Sequence, residues 1–162
     1  MDVLSHGLWG SATFGRKSRK YFWASFVIGV LPDLLPFTLE FFRYLFFGFN
    51  FDHPTPKIFP DYVFYFYSFT HSLIIFSLVF LSLWLFKRKP YLPLGAWGLH
   101  ILMDIPTHSD KFFPTPFLWP VSDFTINGTS WGTPLIFFGN WGALALIYLA
   151  IQLSKKKRAV LQ

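Results

Sequence analysis

The chain has 162 residues, of which 53% are apolar, 23% aromatic and only 14% charged, whereas an average soluble domain is about 25% charged. Its 23 phenylalanines are more large apolar side chains than a soluble core of this size can bury, so the composition predicts an integral membrane protein. The absence of cysteine excludes disulfides, thiolate metal sites and cysteine nucleophiles, and the formal net charge is +6.

The apolar residues fall into four segments, which we expect to cross the bilayer as helices. The sequence therefore predicts an all-α fold, a polytopic bundle of about four transmembrane helices forming one domain over 1–162. The first segment contains LPDLLP at 31–36, whose two prolines predict a broken first span. The second has no Lys, Arg, Asp or Glu, and the third is short for a full span. The expected spans are 21–47, 62–86, 91–105 and 134–153.

Three short basic clusters flank these segments and set the expected topology. With four crossings all three lie on one side, which the positive-inside rule makes the cytoplasm. We therefore expect a multi-pass protein of a prokaryotic inner membrane, with both termini cytoplasmic, an uncleaved first span as its targeting signal, and the lipid bilayer as its partner. Nucleic-acid binding is the alternative for the basic runs, but no soluble module or stacking platform supports it, and the pattern predicts no oligomeric state. The clusters are 16–20, 87–89 and 155–158, and the outward loops are 50–61 and 106–133.

Polar residues interrupt the apolar segments at a few places. In HILMDIPTH, His100 and Asp104 lie about one helical turn apart and therefore share a face. A proline two residues later is expected to end the helix, so that His108 turns back toward the same point. Asp33 and His71 lie at comparable depth in the first two segments, and we expect these side chains to meet toward the outer leaflet.

The two carboxylates in this set need a compensating charge. An intramembrane carboxylate costs about 2.5–3.5 kcal/mol on insertion scales unless it is paired. Neither Asp33 nor Asp104 has a lysine in its segment, and Glu40 can claim the nearby Arg43 as a helical neighbour. Carboxylates beside imidazoles are ligands for a divalent cation, zinc first, with manganese or iron as alternatives. Polar packing without metal and a proton or ion path are the other interpretations.

The order of these short motifs resembles the membrane-bound metal-dependent hydrolases, a group of bacterial and archaeal membrane proteins that is distantly similar to zinc-dependent phospholipase C. Their features are an N-terminal His, a PD in the first apolar segment, a THS in the second and a His-x3-Asp in the third, here LPDLLP, FTHSL and HILMD. The resemblance covers roughly residues 6–141. A later His-x3-Glu pair is missing, and FYFYSF replaces a His-Arg of some members, so one or two metals are implied rather than three. The implied ligands are His6, Asp33, His71, His100 and Asp104.

The resemblance and the location together predict a membrane-bound hydrolase acting on a phosphoester or ester of a lipid or lipid-linked substrate. Asp33 or His108 would serve as the general base. Ser72, beside a histidine, is an alternative nucleophile, although adjacency alone says nothing about geometry. The loop 106–133, with Trp119 and Trp131, is expected to anchor at the interface or to cover the substrate. The alternative function is a non-enzymatic transporter, proton relay or scaffold with a structural His/Asp cluster.

Overall fold

The computed structural model describes residues 1–47, 59–111 and 113–160. These residues form six α-helices and a short 3₁₀ helix, and no strand occurs among them, so the predicted all-α fold is confirmed. Residues 50–58, most of the first predicted outward loop, lie outside the described residues. The helices are α1 (Val3–Phe14), α2 (Arg19–Phe47), α3 (Asp61–Thr70), α4 (Leu73–Lys87), the 3₁₀ helix Leu92–Leu94, α5 (Gly95–Thr107) and α6 (Pro134–Val160).

Two of the described helices are long and apolar enough to cross a membrane, and a bent pair provides a third crossing if it counts as one span. The two are α2, over Arg19–Arg43, and α6, over Pro134–Lys157. The pair is α3 with α4, which meet at an angle of 52°. The predicted third span corresponds to α5, whose 13 residues extend only about 20 Å, against a hydrocarbon core of about 30 Å. The described residues therefore provide two or three helices that could span a membrane, and a four-span bundle is not confirmed.

The first span is one continuous helix, so the break predicted there is wrong. Pro32 and Pro36 both lie inside α2. Proline has no N–H, so Pro36 cannot bond the Pro32 carbonyl four residues earlier. The hydroxyl of Thr70, at the end of α3, donates to that carbonyl at 2.9 Å instead. A partner from another helix therefore satisfies a carbonyl that the helix cannot satisfy itself.

The break lies in the second predicted span, which the sequence analysis treated as one helix over 62–86. His71 ends α3 and Ser72 caps α4, where its hydroxyl accepts hydrogen bonds from the backbone N–H groups of Ile74 and Ile75, both at 3.2 Å. The same hydroxyl donates to the Trp119 carbonyl at 2.5 Å. Its capping role explains the interruption, and these bonds occupy the hydroxyl that was considered as a nucleophile.

Small residues let α1 approach α2 and α5 closely. A Cβ atom added at Gly29 of α2 would lie 2.7 Å from the His6 carbonyl oxygen of α1, and one at Gly10 of α1 would lie 2.7 Å from the Ala96 side chain of α5. Close backbone approach through small residues is typical of membrane helices. A polar contact connects α6 to α1, since the side-chain amide of Asn140 donates to Ser5 at 2.6 Å.

Residues from all three predicted basic clusters meet at one end of the molecule, which we call the basic end. Tyr21 and Tyr91 lie with ring centroids 6.1 Å apart, the ammonium group of Lys17 covers the first ring, and that of Lys87 covers the second. Lys155 of α6 lines a cavity together with residues 16–19. The helix α1 ends near the basic end. Met1, which precedes its start, lies next to Asp104, since the Met1 amino group donates to that carboxylate.

Candidate metal centre

Four separate parts of the fold deliver the predicted site residues to one buried point. The helix α1 contributes one histidine, α2 one aspartate, the α3–α4 break a second histidine, and α5 with its C-cap the remaining three residues. Each of the six residues is at most 8% exposed. This His–Asp cluster consists of His6, Asp33, His71, His100, Asp104 and His108.

Four members of the cluster form a tight group that could hold a metal ion. One ligand atom from each of them lies within 4.8 Å of every other. The Asp33 Oδ1 atom lies 3.4 Å from His71 Nε2 and 3.7 Å from His100 Nε2. The Asp104 Oδ2 atom lies 3.4 Å and 3.2 Å from the same two nitrogens.

Backbone carbonyls fix the tautomer of three histidines. The Nδ1 atom of His100 lies 2.7 Å from the Gly29 carbonyl, that of His71 lies 3.0 Å from the Tyr67 carbonyl, and that of His108 lies 2.7 Å from the Phe113 carbonyl. A carbonyl only accepts hydrogen bonds, so each Nδ1 carries the proton and donates it. In a neutral ring the Nε2 atom is then an unprotonated acceptor that can bind a metal.

The Nε2 atoms of two of these histidines point at one another and at carboxylates, and in neutral rings they are unprotonated. The Nε2 atoms of His71 and His100 are 3.1 Å apart, and both face Asp33 and Asp104. Two lone pairs at this distance, beside two anionic groups in a buried site, repel unless a cation lies among them. A divalent ion supplies that charge, as would extra protons on the imidazoles.

The size of the tight group fits a small divalent ion. Zinc bonds of about 2.0–2.1 Å in a tetrahedron place the ligand atoms about 3.3 Å apart. The five distances given above among the four ligand atoms run from 3.1 to 3.7 Å. The donor set of two nitrogens and two oxygens, without sulfur, also suits zinc, manganese or iron. The residues present could therefore hold a metal ion, as the sequence predicted.

The second oxygen of Asp104 faces a different group. Its Oδ1 atom lies 3.0 Å from His6 Nε2 and 3.4 Å from His108 Nε2, and it accepts a hydrogen bond from the Met1 amino group. The His6 ring stacks on His100 with centroids 3.6 Å apart, which joins the two halves of the cluster. Asp104 therefore lies at the centre, with one oxygen toward each half.

Several buried atoms of the cluster have no hydrogen-bond partner among the described residues. Leaving such a group unsatisfied costs about 1–3 kcal/mol, so native proteins rarely do it without another partner. Here the neighbouring atoms are close, but they are other ligand atoms rather than aligned donors. The unsatisfied atoms are both ring nitrogens of His6, Asp33 Oδ2 and Asp104 Oδ2.

Burial also holds two histidines in the neutral form. Desolvation, followed by the proximity of His100, lowers the pKa of His6 to about 4. Desolvation likewise lowers the pKa of His108 below its ordinary value. Both rings are therefore uncharged at neutral pH, which is the form that binds a metal.

As expected from the sequence, the nearest arginine pairs with a glutamate and does not neutralise the negative charge of the cluster aspartates. Glu40 is buried and accepts hydrogen bonds from Arg43 Nε at 2.7 Å and from the Tyr62 hydroxyl. This group belongs to the other end of α2. The negative charge of Asp33 and Asp104 is thus left to the imidazoles, the Met1 amino group and any bound cation.

A cavity of about 430 Å³ lies beside the cluster. Tyr67 lines it and also stacks on His71 with centroids 3.7 Å apart, so this ring forms the wall between cavity and cluster. The Tyr67 hydroxyl donates to the Phe113 carbonyl at 3.1 Å. The remaining wall mixes aromatic and charged side chains, including Phe59, Phe64, Asp110, Lys111 and Asp123.

The residues that hold the ligands in place were not predicted from the sequence. Thr70 approaches His71 Nδ1 at 3.0 Å while it donates to α2, and Phe113 presents its carbonyl to His108 from a left-handed backbone with φ of 45°. The motif THS could have indicated the threonine, because a hydroxyl next to a ligand histidine can hydrogen-bond the ring nitrogen that does not face the metal. Nothing in the sequence indicates the conformation of Phe113.

Comparison of the chain with protein-family models, with curated proteins and with solved structures gives no match. The interpretation of the cluster therefore depends on its own geometry.

Proposed function

We propose that the protein is a membrane-bound hydrolase that uses a divalent metal, with zinc as the first choice, to cleave a phosphoester or ester of a lipid or lipid-linked substrate. The observation that carries the proposal is the meeting of the His71 and His100 Nε2 atoms with two carboxylates in a buried site. The order of the sequence motifs, which resembles that of the membrane-bound metal-dependent hydrolases, adds the reaction class.

The chain offers one full ligand set and part of a second. Asp33, His71, His100 and Asp104 would hold the first ion, and His6 and His108 would hold a second through the other oxygen of Asp104. When bound, such a cation supplies Lewis acidity toward a phosphoryl or acyl oxygen and makes a nearby water more acidic.

The proposed roles of the remaining groups depend on which of their atoms are not already engaged by a neighbouring residue. Asp33 directs Oδ1 at two histidines, whereas its Oδ2 atom has no hydrogen-bond partner among the described residues and can accept a proton from water. His108 has both nitrogens engaged, one with the Phe113 carbonyl and one near Asp104. We therefore favour Asp33 over His108 as the general base.

The cavity next to Tyr67 is the proposed place for the substrate. Its aromatic wall suits an apolar chain, and Lys111 can pair with a phosphate. Tyr67 separates this space from the cluster, so the reacting group enters only if its ring moves aside. The proposal thus assigns the substrate to the end of the molecule where α5 ends.

Hydrolysis of defined substrates by metal-loaded protein tests the proposal. We would assay bis(p-nitrophenyl) phosphate, p-nitrophenyl butyrate and dihexanoylphosphatidylcholine in detergent, before and after chelation. The proposal predicts hydrolysis of at least one of these, lost on chelation and in Asp104→Asn, and retained in Asp61→Asn, which removes an exposed carboxylate at the start of α3. An activity that Asp104→Asn leaves unchanged would contradict it.

The alternative class, a proton relay, makes the opposite prediction. A chain of imidazoles and carboxylates this close together could pass protons without a metal. Proton flux in liposomes that needs Asp104 and is unchanged by chelation would favour the relay and exclude the hydrolase.

A further inference from the structure

A second polar cavity lies at the basic end, more than one turn of α1 beyond His6 of the His–Asp cluster. It measures about 510 Å³ and is formed where the end of α1, the α1–α2 connection and the last turns of α6 meet. Among the described residues, four cationic side chains line it and no acidic side chain does. The four are Arg16, Lys17, Arg19 and Lys155.

The lack of counter-charge extends beyond the cavity wall. The sequence has no Asp or Glu at 3–32, at 62–103 or after 123. The segments that form the basic end, 11–22, 87–91 and 148–157, all lie inside these stretches. The guanidinium and ammonium groups of the cavity therefore have no carboxylate in their own segments, which favours a positive potential at this end.

Two of the neutral polar groups of the wall are already bonded within the protein. The Ser11 hydroxyl donates to the Gly7 carbonyl at 2.9 Å, and the Tyr148 hydroxyl donates to the Leu8 carbonyl at 2.9 Å. The four cations, together with the Gln152 amide, are thus groups that can recognise a ligand. Apolar atoms of Ala12, Phe22 and Ile151 form the remaining wall, next to the apolar faces of α2 and α6.

We propose that this cavity binds the phosphate headgroup of an anionic phospholipid, with the acyl chains leaving along α2 and α6. Positive pockets between membrane helices on the basic side of a protein are suited to such headgroups. The arginine side chains bind phosphate oxygens in pairs, and the apolar wall accommodates the start of the chains. The site is separate from the His–Asp cluster and does not depend on the proposed hydrolase activity.

The test is lipid binding by the detergent-purified full chain, measured by native mass spectrometry with phosphatidylglycerol and phosphatidylcholine. The cavity variant combines Arg16→Gln, Arg19→Gln and Lys155→Gln. The matched control combines Lys87→Gln, Arg88→Gln and Lys89→Gln, which removes the same charge from the same end without changing the cavity wall. Because all six side chains are exposed, we expect both variants to fold, and their melting temperatures check this.

We expect wild type to prefer phosphatidylglycerol, the cavity variant to bind it about tenfold more weakly or worse, and the control to stay within about twofold. Equal losses in both variants would show an unspecific surface charge and overturn the proposal. No preference over phosphatidylcholine would overturn it as well. Glycerol 3-phosphate that competes at the same concentration as the lipid would assign the cavity to a free phosphate compound instead.

Discussion

Asp104 is the residue on which the cluster depends most. Its side chain is fully buried, and its two oxygens face different histidines, His100 and His71 on one side and His6 and His108 on the other. A buried carboxylate is tolerated only when it is paired. Its removal would leave the imidazole nitrogens facing one another with less negative charge to bind a cation.

Thr70 allows a test of the residues that hydrogen-bond the ligands and their helices. Its hydroxyl satisfies the Pro32 carbonyl, which α2 cannot bond, and contacts His71. Thr70→Val keeps the shape but leaves that carbonyl unpaired, so we expect the free energy of unfolding to fall by about 1–3 kcal/mol. Thermal denaturation in detergent measures this. Thr70→Ser keeps the hydroxyl and should stay close to wild type, and an equal loss in both variants would exclude the role of the bond.

The helices place the ligands because α1, α2 and α5 approach closely. Gly29 illustrates this, since its backbone touches α1 beside His6 and its carbonyl accepts from His100. Small residues at such crossings trade side-chain volume for backbone proximity. The distance between the first two helices thus determines whether His6 reaches Asp104.

Gly29→Ala tests the importance of this crossing. The added methyl group would lie 2.7 Å from the His6 carbonyl oxygen, so α1 must shift away. We expect a loss of about 1–3 kcal/mol in the free energy of unfolding, and weaker metal retention because His6 moves with its helix. Gly142→Ala is the control, since nothing lies within 4 Å of its added methyl group. Unchanged stability and metal content in Gly29→Ala would show that the crossing is not tight.

Much of the candidate site could be predicted from the sequence, because an ionisable residue in an apolar segment requires a partner. Asp33, His71, His100 and Asp104 were identified in this way, and the structure brings them together. The path of the chain could not be predicted with the same rule. Pro32 indicated a break in α2, but the helix continues and Thr70 of α3 bonds the Pro32 carbonyl. Such a bond between distant residues leaves no local pattern in the sequence.

The bend at the α3–α4 junction shows the opposite case. Residues 62–86 are apolar throughout, so hydropathy predicts one span, although Ser72 is a typical N-cap. The short helix α5, predicted as a third span, was misjudged for a related reason. Hydropathy measures apolar length, whereas this helix is held by contacts with α1 and α2.

At the scale of the whole molecule, the account predicts that the basic end faces one side of the membrane and the start of α6 the other. The absence of cysteine allows this to be tested with single introduced cysteines. We expect Lys89→Cys and Lys156→Cys to react with an impermeant maleimide only after permeabilisation, and Ser130→Cys to react in intact cells. Labelling of the two lysine positions from opposite sides would contradict the common basic end.

The most direct test of the central claim is the metal content of the detergent-purified protein, measured by inductively coupled plasma mass spectrometry. The account predicts about one zinc, manganese or iron per chain, or more, in wild type. The metal should be lost in Asp104→Asn and His100→Ala and retained in Asp61→Asn, which removes a carboxylate outside the cluster. A wild-type protein that holds no metal even after incubation with each of these ions would contradict the account.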